Sequence, residues 1–376
     1  MILQHSDSSK GNSTVPALTG VRIFACIYVF LFHFGSSALD RAGVPRPVAT
    51  LLHNGFFGVS AFFVLSGFIL AHAHPKPFNS PRDYIKYAVS RLARIYPVYL
   101  LSLLVALPLV GATLKPREIG TVILMVQAWG SATSDWGYAW IGQAWTLSVE
   151  VAFYLAFPFL LIGSRRLRTP VLVGVYLIDV ACVIGGAVPI VRPSSVAGGS
   201  VEMTGSTEIP SWLMHVPLPL TRMLEFAMGI MLQTLVTRLR GRLPSGLSIW
   251  LYAAILGVIA ALSATTNGHA LGLASALVGI IISMLYVSRN RLTALLGSRM
   301  LLVLGSASYA AYLLQGPIHA YLSKLLPEPF GRLFALPVTL IVAVLVWRLI
   351  EEPCRKFISA GRGHRNMVVG VMSHSE

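Results

Sequence analysis

Charge is what this sequence has least of. Only 11% of its 376 residues are charged, where a soluble domain usually carries about 25%. Acidic residues are the scarcer sign, 14 against 29 lysines and arginines. With 55% hydrophobic residues and a mean hydropathy of +0.71, this excludes a soluble core and describes a polytopic membrane protein. The net charge of +15 is then explained by basic cytoplasmic loops, and no nucleic-acid partner is expected. Cysteine is also rare. Cys26, Cys182 and Cys354 are scattered, which points to neither disulfides nor a metal site. Residues 1–15 are polar and Ser-rich, without a charged segment and cleavage site of secretory type. The first apolar run is therefore expected to stay as a helix. Heptads, low-complexity tracts and tandem repeats are absent.

What is present is a series of apolar runs. About ten are long enough to read as spanning helices, over residues 17–35, 55–71, 92–111, 144–162, 171–190, 219–236, 247–262, 271–287, 301–322 and 333–350. Residues 119–129 are too short and read as an interfacial or re-entrant piece. Basic residues concentrate in alternate loops: around Arg82–Arg94, then Arg165–Arg168, Arg238–Arg242, Arg289–Arg299 and the tail from Arg355. That alternation predicts an even number of spans with both termini cytoplasmic. Residues 191–217 form the longest outer loop. The expected organisation is one transmembrane domain over 1–360 and a basic polar tail over 361–376.

Ionisable side chains inside such runs are costly and are usually kept for function. Arg22 and His33 stand near the two ends of the first run, roughly 16 Å apart on a helix. Taken singly, snorkelling explains Arg22 and interfacial capping explains His33. The second run contains Gly55, Gly58 and the mid-span pair Ser66-Gly67. Its small residues suit close helix packing or, at Ser66-Gly67, a ligand against the backbone. Arg91 and Arg94 share one helix face beside Pro97, and two guanidiniums on one face suit bidentate phosphate binding. Glu150 lies inside the fourth run. Arg222 and Glu225 are spaced for an ion pair, and Gln315 and His319 share a face of the ninth run. Sorted by the predicted span directions, Arg22, Arg91 and Arg94 fall on the inner side. His33, Glu150, Glu225, Gln315 and His319 fall on the outer side. That separation predicts an anionic ligand entering from the cytoplasm and proton chemistry near the outer face.

At these residues the chain resembles the membrane acyltransferase-3 family of bacterial O-acyltransferases. The matching blocks are Arg22…His33, Phe62-Phe63-Val64-Leu65-Ser66-Gly67-Phe68, Arg91-x-x-Arg94, Trp145-Thr146-Leu147-Ser148-Val149-Glu150, Arg222-x-x-Glu225-Phe226, Ser308-Tyr309-x-x-Tyr312-Leu313 and Glu352-Pro353-x-Arg355. They occur in family order across nearly the whole chain. The family often opens Leu-Asp-Gly-Leu-Arg, and Thr19 stands here in place of the acid. It also often places a His near Gln315, for which His319 is the candidate replacement.

The resemblance implies transfer of an acyl group, commonly acetyl from acetyl-CoA, to a hydroxyl of an extracytoplasmic glycan or other sugar-bearing acceptor, at the cell (inner) membrane. It points to Arg22 and His33 as essential, to His33 as catalytic and to Arg91 and Arg94 as CoA contacts, which Arg22 joins in the scheme drawn here. In the resulting scheme acyl-CoA is a substrate and not a resident cofactor, its thioester passes Ser66, and Glu150 orients the imidazole of His33. Glu225, Gln315 and His319 are expected on the acceptor. No metal is expected. The alternatives are acylation of a small secondary metabolite such as a macrolide sugar, a proton-coupled transporter, and a lipid-linked glycosyltransferase. The missing internal repeats weigh against the transporter. An outer first loop with Asp40 as its one acid weighs against the glycosyltransferase.

Overall fold

The computed structural model describes residues 15–35, 43–110, 115–130, 140–186, 192–193, 201–202, 216–240, 249–265, 268–327 and 330–357. The tail 361–376 and most of the loop 191–217 lie outside them. Proline at the first helical position opens α1 (Pro16–Gly20), where a missing N–H costs nothing. It runs through Val21 into α2 (Arg22–Phe30), which ends in a π-turn, Leu31–Gly35. Next come α3 (Arg46–His53) and α4 (Phe57–Ala73), bent by 47° at their break. The longest helix is α5 (Pro81–Val110), and α6 (Pro116–Ile123) is short. Two single 3₁₀ turns, Gln127–Trp129 and Gly142–Ala144, lead into α7 (Trp145–Arg166). The rest are α8 (Thr169–Ile184), α9 (Leu218–Leu239), α10 (Ile249–Ser263), α11 (Gly268–Val287), α12 (Arg291–Leu296), α13 (Arg299–Leu325) and α14 (Phe330–Val346). A second π-turn, Trp347–Glu351, continues α14. The strand content of the described residues is the antiparallel pair Arg192–Pro193 and Val201–Glu202.

The fold is thus helical, as expected. Each expected apolar run overlaps a helix, yet among the described residues five helices are long and apolar enough to cross a membrane, or six if α3 and α4 form one bent span. The helices α8, α10 and α11 give shorter apolar stretches. The 22 residues of α9 are long enough but interrupted by Arg222, Glu225 and Gln233. These polar groups are buried because α9 packs on α4, α7, α8 and α11 at the centre of the bundle.

Backbone contact between helices rests on a few glycines. A Cβ at Gly67 would overlap the Phe226 carbonyl, and one at Gly229 would overlap the Val64 carbonyl, so α4 and α9 cross with their backbones touching. Gly305 of α13 is pressed likewise on the Thr19 carbonyl of α1. Around these crossings lies one continuous apolar core, with Phe153 of α7 stacked on Phe226 of α9 at 4.4 Å.

Two local features reset the depths expected from sequence. The third run is the C-terminal two thirds of its helix: α5 begins at Pro81, so Arg91 lies about 15 Å along its axis from that start. The start of α7 is sunk into the bundle. Gln143, Ala144 and Trp145 are all buried, and Gln143 Nε2 donates to the Tyr312 carbonyl at 3.1 Å. The stretch 119–129 forms α6 and the first 3₁₀ turn. It is held to α5 by Tyr99 Oη donating to the Val122 carbonyl at 2.7 Å, and to the 3₁₀ turn before α7 by Gln127 Nε2 donating to the Ala144 carbonyl at 2.9 Å.

Candidate active site

Because α5 enters early and α7 starts deep, side chains from distant parts of the chain meet at one level. They enclose a cavity of about 390 Å³, within the usual range for small-molecule sites. Arg22 enters from the start of α2, Ser66 from α4, Arg91 and Arg94 from α5, Glu150 and Tyr154 from α7, Ser308, Tyr309 and Tyr312 from α13, and Arg355 from beyond α14. Four guanidiniums thus face one lining carboxylate. Arg91 stacks over the Tyr87 ring at 5.6 Å, and its buried Nε has no hydrogen-bond partner among the described residues. Tyr154 donates a hydrogen bond to Glu150, and Tyr309 Oη donates to the Ile95 carbonyl at 2.8 Å. A pre-formed, partly apolar pocket with an excess of forked cations is built to take a polyanion.

The other end of α2 has different chemistry. His33 sits in the π-turn with its ring 4.8 Å from Phe32 and 5.8 Å from Phe34. Phe34 in turn stacks on His319 of α13 at 4.2 Å. One helical turn before His319, Gln315 is fully buried, and neither its amide nitrogen nor its oxygen has a partner among the described residues. His33, Gln315 and His319 do not line the arginine cavity.

The structure therefore brings Arg22, Ser66, Arg91 and Arg94 together as expected and engages two other residues elsewhere. Glu150 is not beside His33. It stands in the arginine cavity under Tyr154, because α7 begins inside the bundle and not at an outer rim. Glu225 is engaged inside the bundle. It forms an ion pair with Arg222 at 3.1 Å and accepts from Ser275 Oγ at 3.4 Å, with both charged side chains buried. Arg222 also reaches Ser60 Oγ at 3.4 Å and lies over the Trp145 ring at 5.7 Å, so the pair ties α4, α7, α9 and α11 together. Gly67 is pressed on the Phe226 carbonyl of α9, and of that pair Ser66 lines the cavity. Sequence reasoning missed Tyr154, Tyr309, Tyr312 and Arg355 as cavity residues. The last three lie in the quoted blocks Ser308-Tyr309-x-x-Tyr312 and Glu352-Pro353-x-Arg355, which were available as a signal.

A helical bundle with apolar spanning helices and an arginine-lined pocket is the setting in which a family match can be judged. The chain matches the family described as Acyltransferase domain over residues 15–350, and it belongs to that family. It is a multi-pass membrane acyltransferase of the O-acyl-transferring kind. Among its relatives is Acyltransferase MdmB of Streptomyces mycarofaciens, 30% identical over 93% of both chains. Another is O-acetyltransferase OatA of Staphylococcus aureus, 26% identical over 39% of this chain and 24% of that protein. A third is exopolysaccharide production protein ExoZ of Rhizobium meliloti, 34% identical over 36% of this chain and 42% of that one. No solved structure matches the chain.

Proposed function

We propose that this acyltransferase takes an acyl group, acetyl in the first instance, from acyl-CoA and delivers it to a hydroxyl of a cell-surface or exported glycan. It does so with about ten spans and both termini in the cytoplasm of the inner membrane. The observation that carries the reading is the cavity holding Arg22, Arg91, Arg94 and Arg355, at the opposite end of α2 from His33. The phosphates of the donor lie on Arg91, Arg94 and Arg22, and its long thioester arm passes Ser66. At the far end the Nε2 or Nδ1 of His33 accepts the proton of the acceptor hydroxyl as its oxygen attacks the thioester carbonyl. The C–S bond breaks and CoA leaves as the thiol after taking up a proton. General-base help of this type contributes roughly 10²–10⁴-fold. Gln315 and His319 line the acceptor side. The name of ExoZ is what favours a polysaccharide acceptor over a small glycoside.

The test is donor binding to the purified protein in nanodiscs. Arg91→Ala and Arg94→Ala each weaken acetyl-CoA binding roughly tenfold or more, the worth of a lost charge-assisted hydrogen bond. Lysine at either position restores only part of it, because an ammonium lacks the planar fork. Parent-like binding by both alanine variants contradicts the reading. Mass spectrometry of surface glycans from a deletion strain then identifies the acceptor: unchanged acylation together with an altered small glycoside replaces the polymer by a metabolite.

A further inference from the structure

The four arginines that line the cavity are unequally open to solvent. Arg22, Arg91 and Arg94 are half-buried, and the Nε of Arg91 is fully enclosed. Arg355 is exposed, with 56% of its side chain's surface open. It follows the π-turn Trp347–Glu351, which packs against α5, the helix of Arg91 and Arg94. Arg355 therefore marks the mouth of the cavity, on its lining but still open to solvent. Glu352 holds it there. The Glu352 carboxylate accepts a hydrogen bond from Arg355 and lies 3.3 Å from Lys356. Two cations on one carboxylate leave the rim positive, so Glu352 presents the guanidinium without cancelling its charge.

Size decides what reaches that mouth. About 390 Å³ is near the lower bound for a pocket that encloses a drug-sized ligand, and an acyl-CoA is larger than such a ligand. Part of the donor therefore stays outside. Which part rests on the reading of the cavity as the acyl-CoA site. There the thioester arm leads inward past Ser66, the pyrophosphate rests on the deeper arginines, and the adenosine with its 3′-phosphate enters last. We propose that Arg355 binds the 3′-phosphate of acyl-CoA at the cavity mouth and so makes the enzyme select this donor over one that lacks the group. A phosphate monoester offers three acceptor oxygens and up to two negative charges. A guanidinium meets two of those oxygens with parallel N–H groups. At an exposed rim the gain is modest, because water and salt screen it. Arg355 thus contributes selection among donors, while the enclosed arginines contribute most of the grip.

The experiment compares acetyl-CoA with acetyl-dephospho-CoA, which lacks only the 3′-phosphate, in binding to the full chain in nanodiscs of zwitterionic lipid. The parent should bind acetyl-CoA roughly fivefold more tightly, the upper end for an exposed charge pair. Arg355→Ala should erase that ratio by weakening acetyl-CoA and sparing the dephospho donor. Arg355→Lys should keep part of it, since the charge remains and the fork is lost. Lys356→Ala removes the same charge from a residue that does not line the cavity, and it should keep the ratio. A parent that binds both donors alike, an Arg355→Ala variant that keeps the ratio, or a Lys356→Ala variant that loses it equally overturns the 3′-phosphate contact. An Arg355 that serves only a lipid headgroup gives the second of these results. Failure of the parent to bind either donor instead overturns the donor-site reading itself, so the two failures are distinct.

Discussion

His33 and Glu150 stand in different chemical surroundings. His33 is held in a π-turn between two phenylalanines, while Glu150 stands among the arginines. His33→Ala should therefore abolish transfer in a protein that still inserts and binds acetyl-CoA; near-normal product from that variant ends its role as base. Glu150→Gln should leave the acidic limb of the kcat–pH profile where it is, because among the described residues Glu150 bonds Tyr154 and lines the arginine cavity, which His33 does not. A limb displaced in Glu150→Gln would restore the pairing the sequence suggested. The identities of Arg22, Arg91, Arg94 and Ser66 were legible because charged or small polar residues in apolar runs stand out against their surroundings. The placing of Glu150 and Glu225 was not. Depth along a helix is not depth in the bundle when one helix begins early, as at Pro81, and another begins buried, as at Trp145. Likewise, the ion-pair spacing of Arg222 and Glu225 is visible in sequence, but the burial that commits both groups to each other is supplied by α4, α7 and α11.

Helices of this bundle are set by the glycines at their crossings. Gly229 of α9 and Gly67 of α4 admit no side chain because each faces a backbone carbonyl of the other helix. Gly229→Ala should cost about 1–3 kcal/mol through overpacking, read as a lower melting temperature in detergent. Gly174→Ala in α8, where nothing lies within 4 Å of an added Cβ, should leave it unchanged or raise it slightly through helix propensity. Equal effects at the two sites would contradict the assigned crossing. The run of glycines in sequence announces close packing but not the partner, since a helix carries several small residues and only the fold selects those that meet another backbone. The same limit applies to the sunken start of α7. Gln143 and Gln127 look like ordinary loop residues until their bonds to Tyr312 and Ala144 are seen.

The whole molecule has two chemically distinct ends along α2, one cationic and open to a cavity, one aromatic and imidazole-bearing. Hydropathy made the helical class and most helix positions readable. The number of spans was less readable, because α8, α10 and α11 are short and α9 is polar for reasons internal to the bundle. Division of labour between the two ends is the central claim, and transfer across oriented membranes tests it most directly. Vesicles of known orientation should carry acyl transfer when acetyl-CoA is supplied on the face bearing the termini, with the acylated acceptor recovered from the opposite face. Transfer in which donor and acceptor are both required on the same face would contradict it, even if His33 and the arginines all proved essential.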